Sequence, residues 1–367
     1  MSKRNIRIAF FDTKPHDRRF FDEANRSEQF GFDLIYYETR LAPGSARMAE
    51  GADVVCAFIN DDLNASTIQQ LARLKVRLVA MRCAGFSNVA VETADELNLP
   101  VVRVPAYSPF AVAEYTLGLL LTLNRHIHRA FNRVRENIFS ISGLIGFDLH
   151  GKTVGIVGTG KIGLQFARLL QGFGVRILAY DPFPNKKAAQ ELGMDYVPLE
   201  WLLTESDVIS LHCPLLRENV GLIRAETLEK MKDGVILLNT SRGRLIRTGD
   251  LIGALESGKV GSVGIDVYEE ESNYFFEDPA DRAMEEDLLA RLMAFPNVIV
   301  SSHQAFFTQE TLRHVAETTL KNVHDFVTKQ EMPHAVGIHG VKALRIFRVR
   351  FYRTFLMFYL FMEKSND

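Results

Sequence analysis

The sequence predicts an α/β chain built on two parallel sheets, and three observations lead there. Short apolar runs alternate with stretches of helical periodicity from residue 6 to residue 301, the pattern left by strands joined through crossover helices. One strand-to-helix turn, Gly158-Thr159-Gly160-Lys161-Ile162-Gly163, has the glycine spacing of a phosphate-cradling loop. The 367 residues also exceed what one hydrophobic core usually covers, so two domains are expected.

The alternation starts at once. Residues 6–11, 32–37, 54–58, 78–81 and 101–104 read as strands, with helical periodicity between them, as over 67–74. Runs with no polar face suit a parallel sheet covered on both sides. The opening MSKRNIRIAFFD has a basic start but only a brief apolar run, and reads as the first strand, not as a leader peptide. Val104-Pro105-Ala106-Tyr107-Ser108-Pro109 then breaks the pattern, Ser108 suiting an N-cap and Pro109 the first helical position. Residues 110–129 read as one long helix, apolar around much of its girth at Ala113, Leu117, Leu120 and Leu121. Two readings fit it: an ordinary core helix, or one buried against another domain or a second copy of the chain. The second makes a homo-oligomer, dimer or tetramer, the expectation.

The glycine turn has a full setting. Val154-Gly155-Ile156-Val157 leads into it, and Ile162, Phe166, Leu169, Leu170 and Phe173 follow at helical spacing. A second apolar run, 176–180, then delivers Asp181. Gly158 permits the tight turn, Gly160 lets backbone approach a pyrophosphate, and Gly163 lets helix and strand pack closely. The phosphates would meet free N–H groups and the positive end of the helix dipole. Asp181 would accept from the adenosine ribose hydroxyls and repel a 2′-phosphate, which favours NAD over NADP. Lys186 and Lys187 can swing toward such a phosphate and leave that preference open.

Further strands are expected at 208–213, 235–240, 263–267 and 298–301. Ligands of such sheets bind beyond the carboxyl ends of strands, and three ends carry distinctive residues: Ser241-Arg242-Gly243, then Glu269, Glu270 and Glu271, then His303-Gln304. Arg242 can grip a carboxylate with its planar fork. His303 can pass a proton to a carbonyl oxygen, and Glu271 at the far ring nitrogen would favour the imidazolium and hold the ring. Taken alone, a strand-end arginine is more often a surface ion pair; the combination with a nicotinamide site makes the trio informative.

A net charge of −2 gives no electrostatic case for nucleic acid as a partner. Three well-separated cysteines, Cys56, Cys83 and Cys213, fit neither a disulfide framework nor a zinc knuckle, so no metal and a reducing cytoplasm are expected. Residues 341–367 differ in composition, with seven aromatics and four arginines. Their longest uncharged run is too short to span a bilayer, which leaves a membrane-surface segment, an extension over a neighbouring subunit or the product of a shifted reading frame.

Taken in order, GTGKIG, SLHCP, LLNTSRGRLI, GIDVYEEE and SSHQAF resemble the D-2-hydroxyacid dehydrogenase family. VRVPAYSP, RCAGFSNV, YFFED and HQAFFT are most similar to its fermentative bacterial D-lactate dehydrogenases. The resemblance implies NADH-dependent reduction of a small 2-keto acid, first of all pyruvate, to the D-2-hydroxy acid. Arg242 matches the family's substrate-carboxylate arginine, His303 its acid/base and Glu271 the acid orienting that histidine, with Glu270 the alternative. The implied NAD contacts are Gly158, Gly160, Lys161, Ile162, Gly163, Asp181, His212, Cys213, Pro214, Thr240 and Asp266, the last holding the nicotinamide carboxamide. Cys83, Ala84 and Gly85 match a loop whose backbone N–H groups face the substrate carboxylate. Tyr107 and Phe306 match pocket-lining positions, Phe306 leaving room for little more than a methyl group.

The resemblance further implies a Rossmann dinucleotide-binding domain, 105–303, inserted in a smaller flavodoxin-like substrate domain, 1–104 with 304–340. A helix over 308–327 would return to the N-terminal sheet, and closure of a cleft would exclude water from the substrate. Three departures from the family pattern stand out: Ala90 replaces an acid, Tyr115 a histidine, and Arg244 and Arg247 interrupt RGALID. The alternatives are a relative acting on glyoxylate, hydroxypyruvate, phosphoglycerate or a bulkier keto acid, and a non-enzymatic NAD-sensing corepressor of this fold. An intact Arg, Glu and His trio argues against the last.

Overall fold

A computed structural model describes residues 5–105, 108–269 and 288–337. Tyr107, Glu270, Glu271 and the tail 341–367 lie outside the described residues. The chain divides into two compact units, Met1–Tyr107 with Thr308–Asp367, and Ser108–Phe307.

In the first unit β1 (Arg7–Phe10), α1 (Pro15–Ser27), β2 (Asp33–Tyr36), β3 (Val54–Ala57), α2 (Ala65–Arg73), β4 (Leu78–Met81), α3 (Val91–Glu96) and β5 (Val101–Arg103) follow one another. The five strands are parallel in the order β2-β1-β3-β4-β5. Alternate residues of a strand face opposite sides, and here each side has its own core. Val55, Ala57, Val79 and Met81 pack with Ile68 and Leu71 of α2, while Val54, Cys56, Leu78 and Ala80 pack with Phe20 and Phe21 of α1.

The second unit begins with α4 (Pro109–Asn124) and α5 (Ile127–Arg135), where the sequence predicts a single helix. The break has a visible cause. The Asn124 amide brackets the backbone of Phe147, donating to its carbonyl at 2.8 Å and accepting from its N–H at 3.0 Å. His126 then takes the left-handed conformation, φ 49°, and the chain turns. α4 packs into the core beside Phe166 through Ala113, Leu120 and Leu123. α5 buries nothing: Ile127, Phe131 and Val134 face outward, followed by exposed Ile138, Phe139, Ile141 and Ile145.

β6 (Thr153–Val157), α6 (Lys161–Leu170), β7 (Arg176–Tyr180), α7 (Lys186–Leu192), β8 (Met194–Tyr196), α8 (Leu199–Glu205), β9 (Val208–Leu211), α9 (Ala225–Glu229), β10 (Val235–Asn239), α10 (Thr248–Glu256), β11 (Val260–Ile265), α11 (Leu288–Met293) and β12 (Val298–Val300) complete this unit. Its seven strands are parallel in the order β12-β11-β10-β9-β6-β7-β8. The chain builds outward from β6 in one direction and from β9 in the other, so the switch point lies between β6 and β9. Strands β9 to β12 end one or two residues before the apolar runs do, and the overshoot contains His212, Cys213, Thr240 and Asp266. The chain then returns to the first unit as α12 (Gln309–Lys329), whose Val315, Ala316, Leu320 and Val323 join Phe10 and Phe20.

Candidate active site

Each glycine of the turn after β6 has a separate structural reason. Gly158 sits at φ 96°, and a side chain there would meet the backbone nitrogen of Cys213 at 2.6 Å and the carbonyl carbon of His212 at 2.7 Å. A Cβ on Gly163 would strike the carbonyl of Gly158. These two contacts seat the start of α6 on the end of β9. At Gly160, the N-cap of α6, no atom lies within 4 Å of where a Cβ would stand. The backbone is therefore bare where a pyrophosphate would approach it, which fits a dinucleotide. Lys161 and Ile162 open the helix behind it.

Asp181 is already engaged with this loop. Its Oδ2 accepts from the Thr159 N–H at 2.7 Å and hydroxyl at 3.0 Å, and its Oδ1 from the Phe183 N–H at 2.9 Å. Tyr196 donates to the Thr159 hydroxyl at 2.7 Å. Burial alone would raise the Asp181 carboxyl, but these hydrogen bonds outweigh it and hold the group below the usual carboxylate range. The carboxylate stays charged and keeps acceptor capacity on Oδ1 for a sugar hydroxyl. Of the two lysines behind it, Lys187 reaches Glu191 at 3.8 Å on α7.

Beyond β9 the His212 ring packs on Phe166 and meets the Ser210 hydroxyl at 2.9 Å through Nε2. Loss of water pushes its pKa down to about 4, so the ring is neutral at pH 7. Burial also pushes the Cys213 thiol up to about 11, too high for a nucleophile. Asn219 donates to the Pro214 carbonyl at 2.8 Å and fixes the loop. Beyond β10 the Thr240 and Thr116 hydroxyls meet at 2.8 Å. Thr116 gives its hydrogen to the Val112 carbonyl, so Thr240 is the donor of that pair.

The Arg242 loop is built by a residue that sequence reading missed. Asn239, fully buried, donates to the Arg242 carbonyl at 2.9 Å and accepts from the Ser241 N–H at 3.1 Å and hydroxyl at 3.0 Å. Arg242 itself is extended and exposed, with Nη1 on the Ser241 carbonyl at 2.6 Å. Gly243 brings the β10 and β11 ends together, because a Cβ there would run into the Tyr268 carbonyl. Of the three consecutive acids, Glu269 is spent on helix capping, accepting from the Thr248 N–H at 3.0 Å at the start of α10.

Asp266, predicted as a cofactor contact, is wholly buried and clamps the His303 loop. It accepts from the Ser301 hydroxyl at 2.7 Å and from the N–H groups of Gln304 at 2.9 Å and Ala305 at 2.8 Å, while its carbonyl accepts from the His303 N–H at 2.7 Å. Burial raises its pKa, and these donors oppose the rise. His303 is held at φ 53°, a backbone that only a well-anchored loop sustains. Its ring lies edge-on to Phe306 at 6.4 Å between centroids. The departure at Tyr115 has a partner in the same loop: Gln304 donates to the Tyr115 hydroxyl at 3.0 Å. Since β10, β11 and β12 are consecutive in the sheet, the Arg242, Asp266 and His303 ends are neighbours.

In the first unit Cys83, Ala84 and Gly85 follow β4, the Cys83 thiol donating to the Gly85 carbonyl at 3.2 Å. The preceding Arg82, another residue the sequence did not single out, is buried. Its Nη2 donates to the Asp12 carbonyl at 2.7 Å, its Nε lies 3.4 Å from Asp17, and its guanidinium covers the Phe58 ring at 5.0 Å. Desolvation lifts the nearby Asp61 carboxyl to about 6, against the Arg82 charge and the N–H groups of Phe58 and Leu41. Glu271 and Tyr107 fall outside the described residues.

Comparison with known proteins identifies the family. The family model described as D-isomer specific 2-hydroxyacid dehydrogenase, NAD binding domain, matches residues 117–305. A 2-hydroxyacid dehydrogenase homolog of Haemophilus influenzae is 49% identical over 319 residues, 87% of this chain and 96% of that one. A D-lactate dehydrogenase of Escherichia coli is 46% identical over 329 residues, 90% of this chain and 99% of that one. The solved structure of the pyruvate reductase of Chlamydomonas reinhardtii superposes with a TM-score of 0.85 at 41% identity, covering 89% of this chain and 98% of that one.

Proposed function

Because the chain belongs to the D-isomer specific 2-hydroxyacid dehydrogenases, NAD-dependent oxidoreductases, we propose that it reduces pyruvate, or a 2-keto acid of similar size, to the D-2-hydroxy acid. The observation that carries the reading is the sheet order. It lines up the Arg242, Asp266 and His303 strand ends on consecutive strands, at the same carboxyl end of the sheet as the glycine loop. Bound NADH supplies the hydride. His303 gives a proton to the substrate oxygen, and Arg242 holds the carboxylate in its fork. Glu271 orients His303. Backbone N–H groups of the Cys83–Gly85 loop take a share of the carboxylate charge, and Tyr107 and Phe306 limit the size of the substrate.

The test is a panel of 2-keto acids followed by NADH and by NADPH absorbance, finished by chiral analysis of the product. Pyruvate reduced with NADH to D-lactate is the expected result; a preference for a bulkier keto acid would overturn the assignment of Phe306, and no turnover would overturn the reaction. Arg242→Lys replaces the fork by a point charge. It is expected to lower kcat/KM roughly 10- to 100-fold, with KM raised and kcat reduced together. An unchanged KM for pyruvate would contradict the clamp.

The chain also self-associates in this proposal. Ile127, Phe131 and Val134 lie on one face of α5 and are 53%, 59% and 52% exposed, an apolar stripe continued by the exposed isoleucines and phenylalanine over 138–145. Phe131→Asp is expected to shift the species seen in analytical ultracentrifugation to lower mass, and an unaltered mass would exclude this face. The described helices include none long and apolar enough to cross a membrane. Together with Cys56, Cys83 and Cys213 as free thiols, this supports a cytoplasmic setting.

A further inference from the structure

We propose that Arg103 is a positioning residue that aims the Gly85 N–H at the substrate carboxylate. The inference rests on the proposed keto-acid chemistry. A trans peptide group is planar, and its C=O and N–H point in opposite directions. Fixing the carbonyl of one residue therefore fixes the N–H of the next. Among the described residues there are no cis peptide bonds, so the Ala84 carbonyl and the Gly85 N–H form such a pair.

The Arg103 guanidinium donates through Nη1 to the Ala84 carbonyl at 2.7 Å, a short charge-assisted bond. The same group lies over the Phe86 ring, 5.1 Å from its centroid, which limits its swing. The peptide before is tied as well: the Val104 N–H donates to the Cys83 carbonyl at 3.2 Å. Arg103 is in turn held by its own backbone. Its N–H donates to the His334 carbonyl at 3.1 Å, and its carbonyl accepts from Asn322 at 3.0 Å, whose amide oxygen meets the His334 ring at 2.8 Å. The arginine is thus anchored to α12 and to the turn just after it, and its side chain donates to one carbonyl of the loop. A positive charge on that carbonyl also draws electron density across the peptide, making the Gly85 N–H a better donor to an anion.

The experiment compares wild type with Arg103→Met and Arg103→Lys, measuring kcat and KM for pyruvate and the Kd of NADH, with a thermal melt on each. The methionine fills similar space without a donor, and should raise the pyruvate KM roughly tenfold, the loss of one well-aimed bond to a charged group. NADH affinity should stay within about twofold, and kcat should fall less than KM rises. Lysine can still reach the Ala84 carbonyl and should restore KM to within about threefold of wild type. A role in folding alone would lower the melting temperature and the active fraction, cutting kcat at unchanged KM; that result overturns the proposal. If Arg103→Met does not fold, Arg103→Gln, which lacks the charge, is compared with Arg103→Lys in the same way. A wild type inert toward every keto acid tested overturns the proposed function and this inference with it. An active wild type with a variant of unaltered KM overturns this inference alone.

Discussion

Replacing His303 by alanine is expected to lower kcat for keto-acid reduction by roughly 10²- to 10⁴-fold, the usual contribution of a positioned general acid. As hydride reaches the carbonyl carbon, negative charge builds on the oxygen, and without the imidazolium only water can quench it. NADH binding should persist, because the loop of Gly158, Gly160 and Gly163 is built without His303. The backbone bears on the choice of variant, since φ at His303 is 53° and histidine, like asparagine, occupies that region more readily than alanine. Asparagine tolerates this conformation and cannot supply the proton. His303→Asn should therefore recover the melting temperature while leaving kcat low. Steady-state NADH oxidation and NADH fluorescence titration on both variants would settle the point; near-normal turnover in either would remove His303 from the chemistry.

Gly243→Ala is expected to be nearly as damaging, although it adds one methyl group and removes no functional group. That methyl would overlap the backbone carbonyl of Tyr268 and crowd the Glu269 nitrogen. Neither neighbour is a side-chain end that can rotate away. The β10 and β11 ends must separate, and Arg242 moves with them. A shift of about 1 Å in a positioning group can cost roughly 10²-fold in rate, so kcat/KM should fall by about that factor. The melting temperature should fall as well, since the buried bonds of Asn239 to Ser241 and Arg242 are strained by the same shift. Wild-type kcat/KM in a folded Gly243→Ala enzyme would show that the loop tolerates the displacement.

Much of the fold was legible because its signals are local. A buried parallel strand leaves an apolar run and its crossover helix leaves a period near 3.6, so the strand positions could be read to within a residue or two, apart from β11, which starts three residues earlier than its apolar run suggests. β8 escaped because Met194-Asp195-Tyr196, an edge strand with an exposed aspartate at its centre, leaves no apolar run. The division of the 110–129 helix escaped because its cause is Phe147, whose backbone the Asn124 side chain brackets across 23 residues. The glycine loop was legible for the same local reason as the strands, and each of its glycines has the close contact or open space its place requires. Arg82 and Arg103 were not, since they act by hydrogen bonds that cross 70 and 19 residues; Asn239 acts only two and three residues on and was passed over as the end of an apolar run. Asp266 was noticed, but its engagement with Ser301, Gln304 and Ala305 was not.

The return of α12 to the first sheet has a consequence for how the protein is made. Its apolar face covers Phe10, Val54, Cys56 and Leu78, yet roughly two hundred residues separate it from β5. At about 5–20 residues per second, the ribosome takes roughly 10–40 s to span that interval. Throughout it the half-built sheet lacks part of its cover, while Ser108–Phe307, contiguous in sequence, has every segment it needs. The first unit to begin is therefore the second to finish, and for those seconds the sheet is a surface for chaperones to shield.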